Sequence, residues 1–391
     1  CLATIEVFKK MGVGISLKDG ICLVDGKGIE GLTEPDQVLD FGNSGTSVRL
    51  CAGLLSAQRF SSVLIGDESL STRPMQRIVD PLTSMGANIS ASDKGTLPIT
   101  INSVKSLQSI EYSLPVASAQ VKSCLMLAGL FAEGETRIKE NVITRDHTEK
   151  IFLEFGIPIE IFSEKTFKTI CVNKIQRIEP KDISVPGDFS SASFFILAAL
   201  ICPNSFLRLN NVGINDTRIG FLHALRNMGA NIDLINHKDT PEPTADILVK
   251  TSVLQGITLD TALVANMIDE MPAFFMAAAL AEGMTIVKDA KELRTKESDR
   301  LQAMADSLNA FGISYQLSDD GIVIHGIGSK GILNSAEIDS YGDHRIAMAS
   351  AIGSLRSDDE VRISDCKNVK TSFPNFIDIC KSVGIEINEY E

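Results

Sequence analysis

One phrase recurs six times along the chain: an apolar helical stretch, a glycine, then β-branched residues, as in KKMGVGI, SMGANI, EFGIPI, NMGANI, AFGISY and SVGIEI. The glycines are Gly12, Gly86, Gly156, Gly229, Gly312 and Gly384, separated by 74, 70, 73, 83 and 72 residues. That period is too regular for chance and too long for a helical solenoid, so it implies six copies of one α/β supersecondary unit. Each glycine reads as the residue after a helix, where a positive φ costs no side-chain clash. A complete unit reads as strand, polar loop, small-residue helix, strand, charged loop, amphipathic helix and hairpin.

The small-residue helices are expected to start after Gly42–Thr46, Val116–Gln120, Gly187–Ser191, Asp269–Pro272 and Tyr341–Arg345. Small and apolar residues on several faces predict that they are buried between layers. Any one of these polar loops alone is an ordinary helix cap. Pseudo-symmetric packing would gather equivalent helix starts, and free N–H groups with aligned dipoles favour anions there. The change of unit near Asp182–Gly187, with Pro186-Gly187 as a hinge, predicts two domains, 1–186 and 187–391, and an anion-friendly cleft between them. The chain opens in what reads as mid-helix, Cys1 to Gly12, so the first unit is expected to be truncated by roughly forty residues of the repeat period.

At 391 residues the chain is long enough for two ordinary cores. The net charge of −13 argues against nucleic acid and anionic membranes as partners. The apolar runs around Ala192–Cys202 and Ala273–Ala281 fall short of the ~18–20 residues of a membrane span. The eight cysteines form no CxxC and the five histidines show no ligand spacing, which predicts reduced, buried thiols in a cytoplasmic protein and no metal site. An anionic small molecule would instead need local basic clusters, and these recur before the second helices: Arg73-Pro74, Arg145-Asp146-His147, Thr217-Arg218 and Lys296–Arg300.

Two acidic positions stand out among them. On a helical wheel, Leu301, Met304, Leu308 and Phe311 define an apolar stripe with Glu297 at its centre, which predicts a carboxylate turned toward the protein from the first turn of a helix. The simpler alternative is an i,i+3 pair of Glu297 with Arg300. Asp269-Glu270 precedes Pro272 at another helix start, where either acid could cap the helix or accept a proton from a substrate hydroxyl. The loop Asp40–Arg49 is similar to a phosphate nest but lacks the spacing of a nucleotide-binding P-loop.

GNSGTSVR (42–49), STRPM (71–75), SAQVK (118–122), RDHTE (145–149), GDFSSA (187–192), NDTR (215–218), IDE-P (268–272), KESDR (296–300) and GDHR (342–345) together resemble the enolpyruvyl transferase family over essentially the whole chain. Three of these, SAQ-x-K, R-x-H-x-E and N-x-T-R, resemble the second of two bacterial subclasses. The resemblance is to the branch that acts on shikimate 3-phosphate. It implies a two-domain inside-out α/β barrel of six repeated units and transfer from phosphoenolpyruvate without metal or organic cofactor, by a monomer. Ser118, Ala119, Gln120, Arg145, Asp269 and Lys296 would then hold shikimate 3-phosphate. Gly45, Arg73, Gln120, Arg300 and Arg345 would hold phosphoenolpyruvate. Asp269 would serve as base toward the attacking hydroxyl, and Glu297 would help deliver a proton to the enol methylene. A Lys-Ser-x-x-x-Arg segment of the family falls outside the sequence, and Lys370 is displaced by one residue from a family lysine, so it is given no role. The sister branch acting on UDP-N-acetylglucosamine carries a reactive cysteine where this chain has GDESLSTRPMQR. A relative that kept the fold and lost the acids is the other alternative, yet Asp269 and Glu297 are both present. Gly45 leaves the phosphoenolpyruvate pocket uncrowded, and the resemblance therefore implies sensitivity to glyphosate.

Overall fold

The computed structural model describes residues 1–164, 167–239 and 242–390. They form two compact units, Cys1–Ile183 and Ser184–Glu391. In the first unit, α1 (Leu2–Lys10) leads into the hairpin β1 (Gly14–Lys18) and β2 (Ile21–Asp25). Next come β3 (Leu39–Asp40), α2 (Gly45–Leu55), β4 (Ser62–Ile65), α3 (Glu68–Ser71), α4 (Gln76–Ser84), β5 (Asn88–Ser90) and β6 (Ile99–Asn102). The unit closes with β7 (Glu111–Ser113), α5 (Ala119–Gly129), β8 (Glu135–Glu140), α6 (His147–Glu154), β9 (Ile159–Ser163) and β10 (Lys168–Asn173).

The second unit opens with α7 (Phe189–Ile201), β11 (Phe206–Gly213), α8 (Gly220–Asn227), β12 (Asn231–Lys238) and β13 (Thr244–Lys250). It continues through α9 (Thr261–Val264), α10 (Met271–Ala279), β14 (Glu282–Val287), α11 (Arg300–Ala310), β15 (Tyr315–Leu317) and β16 (Ile322–Ile327). Its last elements are β17 (Glu337–Asp339), α12 (His344–Gly353), β18 (Arg362–Ser364), α13 (Lys367–Ser372) and α14 (Phe376–Ser382).

The repeat is visible in the sheets. Strand orders β3-β4-β6-β5 and β7-β8-β10-β9 are the same, with a parallel first pair and antiparallel neighbours thereafter. In the second unit β11-β13-β12 and β14-β16-β15 repeat the antiparallel part, and single parallel bridges such as Gly187↔Val212 and Thr258↔Ile286 stand for the leading strand. None of these sheets closes on itself, and the fold is a two-domain α/β arrangement.

All six repeat glycines have positive φ, from 68 to 90°. The residue after each one donates to a carbonyl five positions back: Val13 to Phe8, Ala87 to Leu82, Ile157 to Phe152, Ala230 to Leu225, Ile313 to Leu308 and Ile385 to Cys380. This is a Schellman closure, which satisfies otherwise orphaned helix-end carbonyls and turns the chain directly into the following strand or extended segment.

The small-residue helices are the buried ones. Every residue of α10 and all but one of α7 are buried, and α2, α5 and α12 are buried along most of their lengths. Each unit has its own apolar cluster built around them. These helices start two or three residues earlier than the motifs alone predict, because Ser44, Ser118, Asp188 and Asp343 act as caps. The thiols depart from expectation: Cys1 and Cys22 are exposed, Cys22 because every residue of β2 is exposed on a hairpin of only two strands. Among the described residues no helix is long and apolar enough to cross a membrane.

Candidate functional site

In the first unit the starts of α2 and α5 are joined by one buried guanidinium. Arg49, 4% exposed, donates through Nη1 to Gln120 Oε1 at 2.6 Å and to the Gly45 carbonyl at 3.4 Å, and through Nη2 to the Pro74 carbonyl at 3.2 Å. Gln120 Nε2 in turn donates to Thr46 Oγ1 at 2.8 Å. Ser44 and Ser118 cap the two helices by accepting the N–H groups of Ser47 and Val121. Arg73 Nη2 donates to Asn43 Oδ1 at 3.2 Å. A Cβ placed on Gly45 would lie 3.1 Å from Arg49 Nη1 and 3.3 Å from Arg73 Nη1. Gly45, Arg73 and Gln120 are therefore brought to one place, with Ser118 and Ala119 on the adjoining turn of α5. Arg145, half-buried, lies in the segment leading into α6, one residue after Thr144.

The corresponding helix starts of the second unit are dominated by ion pairs. Asp269 lies in the turn before α10, its Oδ2 3.4 Å from Arg218 Nη1 and its Oδ1 3.5 Å from Arg300 Nη1. Arg345 Nη1 donates to its carbonyl oxygen at 2.9 Å. Arg300, 1% exposed, donates through Nε to Asp343 Oδ2 at 2.7 Å and through Nη2 to Glu297 Oε2 at 2.6 Å. Asp343 has a second task, capping α12 by accepting the Arg345 N–H at 2.9 Å. Asp269, Glu297, Arg300 and Arg345 thus converge, while Lys296 is paired with Glu292 beside them.

Burial alone would lower the affinity of Arg300 for its proton, but Asp343, Glu297 and Asp269 outweigh it and hold the group charged. Burial likewise opposes ionisation of Asp343, and the Arg300 guanidinium reverses this and keeps its carboxyl below the usual range. Glu270 is the exception. Burial raises its pKa, and Asp269 adds to the shift against the pull of Arg218. Ser190 donates to its Oε1, and Arg218 Nη2 lies 2.5 Å from Ser190 Oγ. Burial and Arg345 push His344 down to about 4, against Asp343.

One sequence expectation is corrected. Glu297 is not on the first turn of a helix: α11 begins at Arg300, with Asp299 as its cap accepting from Gln302. The apolar stripe of Leu301, Met304, Leu308 and Phe311 is buried as expected, but extrapolating its wheel three residues upstream crosses the cap, where helical periodicity no longer applies. Glu297 faces inward because it pairs with Arg300. Sequence reasoning left Arg49 without a site role, named Arg218 only within a basic cluster, and offered Glu270 only as an alternative to Asp269. The signal was present for the two arginines, since each stands inside a motif beside a helix start, but their partners are distant in sequence.

The profile of the EPSP synthase (3-phosphoshikimate 1-carboxyvinyltransferase) family matches residues 1–380. The 3-phosphoshikimate 1-carboxyvinyltransferase of Hydrogenovibrio crunogenus is 47% identical over 393 aligned residues, covering 100% of this chain and 88% of that protein. Its counterpart in Legionella pneumophila is 46% identical with the same coverage. Among solved structures, EPSP synthase from Acinetobacter baumannii superposes with a TM-score of 0.90 at 44% identity, covering 100% of this chain and 88% of that one. With whole-chain agreement in sequence and fold, and with the basic helix starts described above, this chain belongs to the EPSP synthase family.

Proposed function

We propose that the protein transfers the enolpyruvyl group of phosphoenolpyruvate to the 5-hydroxyl of shikimate 3-phosphate and releases phosphate, a step of aromatic amino acid biosynthesis. The observation that carries this reading is the Asp269 carboxylate held between Arg218 and Arg300, in a chain of this family. A carboxylate placed between guanidinium groups lies beside the anions they would bind, where it can accept a hydroxyl proton.

In this reading Ser118, Ala119, Gln120, Arg145, Asp269 and Lys296 hold shikimate 3-phosphate. Gly45, Arg73, Gln120, Arg300 and Arg345 hold phosphoenolpyruvate, and the functional division follows residues 1–186 and 187–391. Glu297 helps deliver a proton to the methylene carbon, leaving cationic character at the carbon that bears the phosphate. The 5-hydroxyl oxygen bonds to that carbon as its proton passes to Asp269. Loss of a methyl proton and departure of phosphate restore the enol ether. Positioning by guanidinium groups and helix starts supplies most of the acceleration.

Phosphate release measured with shikimate 3-phosphate and with UDP-N-acetylglucosamine tests the reading, and turnover with the nucleotide sugar alone would defeat it. Glyphosate should inhibit in competition with phosphoenolpyruvate. For assembly and location the reading is a monomer in the cytoplasm, and sedimentation velocity at assay concentration checks the first.

A further inference from the structure

Four charged side chains meet inside the first unit, away from the groups assigned to substrate. Lys122 on α5 is fully buried, its Nζ 3.2 Å from Glu140 Oε2 and 2.7 Å from Glu149 Oε1. Lys168 Nζ lies 3.3 Å from the same Glu149 oxygen, and Lys168 stands directly opposite Glu140 in the β8–β10 pairing. Two cations and two carboxylates leave the cluster neutral, and its burial gives it no means of steering ligands.

Such a cluster is a poor source of stability compared with apolar packing, but its geometry is specific. What it fastens is informative. Lys122 donates its backbone N–H to the Ser118 carbonyl at 3.1 Å, so it sits one turn inside the helix that presents Ser118 and Gln120. Glu140 ends β8, and its Oε2 accepts from Thr144 Oγ1 at 2.8 Å and Thr144 N at 3.4 Å. Thr144 immediately precedes Arg145. Glu149 lies in the first turn of α6, which Ser123 Oγ also meets at Thr148 Oγ1, 2.6 Å away.

We propose that Lys122 is a positioning residue: through Glu140 and Glu149 it holds Arg145 in register with Ser118 and Gln120, and so sets the affinity for shikimate 3-phosphate. The inference rests on the assignment of those three residues to that substrate. It also accounts for two of the subclass-like motifs at once, because the lysine of SAQVK and the final glutamate of RDHTE are ion-pair partners.

The double variant Lys122→Met/Glu149→Leu tests it, since removing one charge of each sign leaves the facing pair Glu140 and Lys168 and should preserve folding. The KM for shikimate 3-phosphate is expected to rise about tenfold or more as its ligands lose register, with the KM for phosphoenolpyruvate within twofold and the thermal midpoint nearly unchanged. Thr144→Val should give a smaller rise confined to shikimate 3-phosphate, restored by Thr144→Ser. An unshifted KM for shikimate 3-phosphate in the double variant overturns the proposal, as does an equal rise in the KM values for both substrates. If the unsubstituted protein releases no phosphate with shikimate 3-phosphate, the functional reading fails and takes this inference with it. Normal turnover with an unshifted variant removes the inference alone.

Discussion

The two units place different chemistry on equivalent helix starts. In the first, Arg49 donates to the Gln120 carboxamide and to the Gly45 and Pro74 carbonyls, and Arg73 donates to Asn43. In the second, Arg218 and Arg300 face the carboxylates of Asp269, Glu270, Glu297 and Asp343, and Arg345 donates to the Asp269 main-chain carbonyl. A hydrogen bond to a neutral acceptor takes away little of a guanidinium's attraction for an anionic ligand. Cations matched with carboxylates lose part of it, but they hold acids in defined protonation states. In the proposed reading both units hold anions while the proton-transferring acids lie in the second, and five substitutions probe that contrast.

The largest effect is expected at Asp269. Asp269→Asn should lower kcat by about a thousandfold, in the range of a lost general base, with a much smaller change in either KM. If phosphate release in that variant stayed within tenfold of the parent, proton transfer would not reside at this carboxylate.

Next is the cost of breaking a buried pair. Arg300→Met strands Asp343 and is expected to destabilise the protein by about 3–4 kcal/mol, read from urea unfolding. Arg73→Met, at a half-buried site, should cost less than about 1 kcal/mol while raising the KM for phosphoenolpyruvate. Equal destabilisation by both would erase the contrast between the units.

The third is a pH effect. His344 has its folded pKa pushed down to about 4, below the usual ~6.5 of an unfolded chain. The unfolded state therefore binds the extra proton first, and stability is lost as pH falls from about 6.5 toward 4, by about 3 kcal/mol. His344→Gln should flatten that acid limb of the thermal midpoint, and an unchanged limb would place the titrating group elsewhere.

The smallest is Gly45→Ala. The added methyl would sit 3.1 and 3.3 Å from two guanidinium nitrogens, so the KM for phosphoenolpyruvate should rise about fivefold to tenfold. Stability should stay within about 1 kcal/mol, because Ala is the better helix former. A rise confined to shikimate 3-phosphate would reassign Gly45.

Much of this architecture is written locally. Gly12, Gly86, Gly156, Gly229, Gly312 and Gly384 each follow an apolar helix and precede an extended segment, and a Schellman closure needs only those few neighbouring residues. Ser44, Ser118, Asp188 and Asp343 cap helices through N–H groups two or three residues away. Glu297 shows where the helical wheel ends and a simpler local pair takes over, since it precedes the cap of α11 and meets Arg300 three residues on.

The six-unit repeat, the starts of the buried helices and the motifs of the family were determined by the sequence, because backbone hydrogen bonding and helix capping act over a few residues. Only the tertiary structure decided that Arg300 meets Asp343, that Arg49 spans to Gln120, and that Lys122 and Lys168 share Glu149. Those partners lie 43, 71, 27 and 19 residues apart in the chain. Charged groups desolvated by packing must take the opposite charge or hydrogen-bond partner that the fold brings within reach.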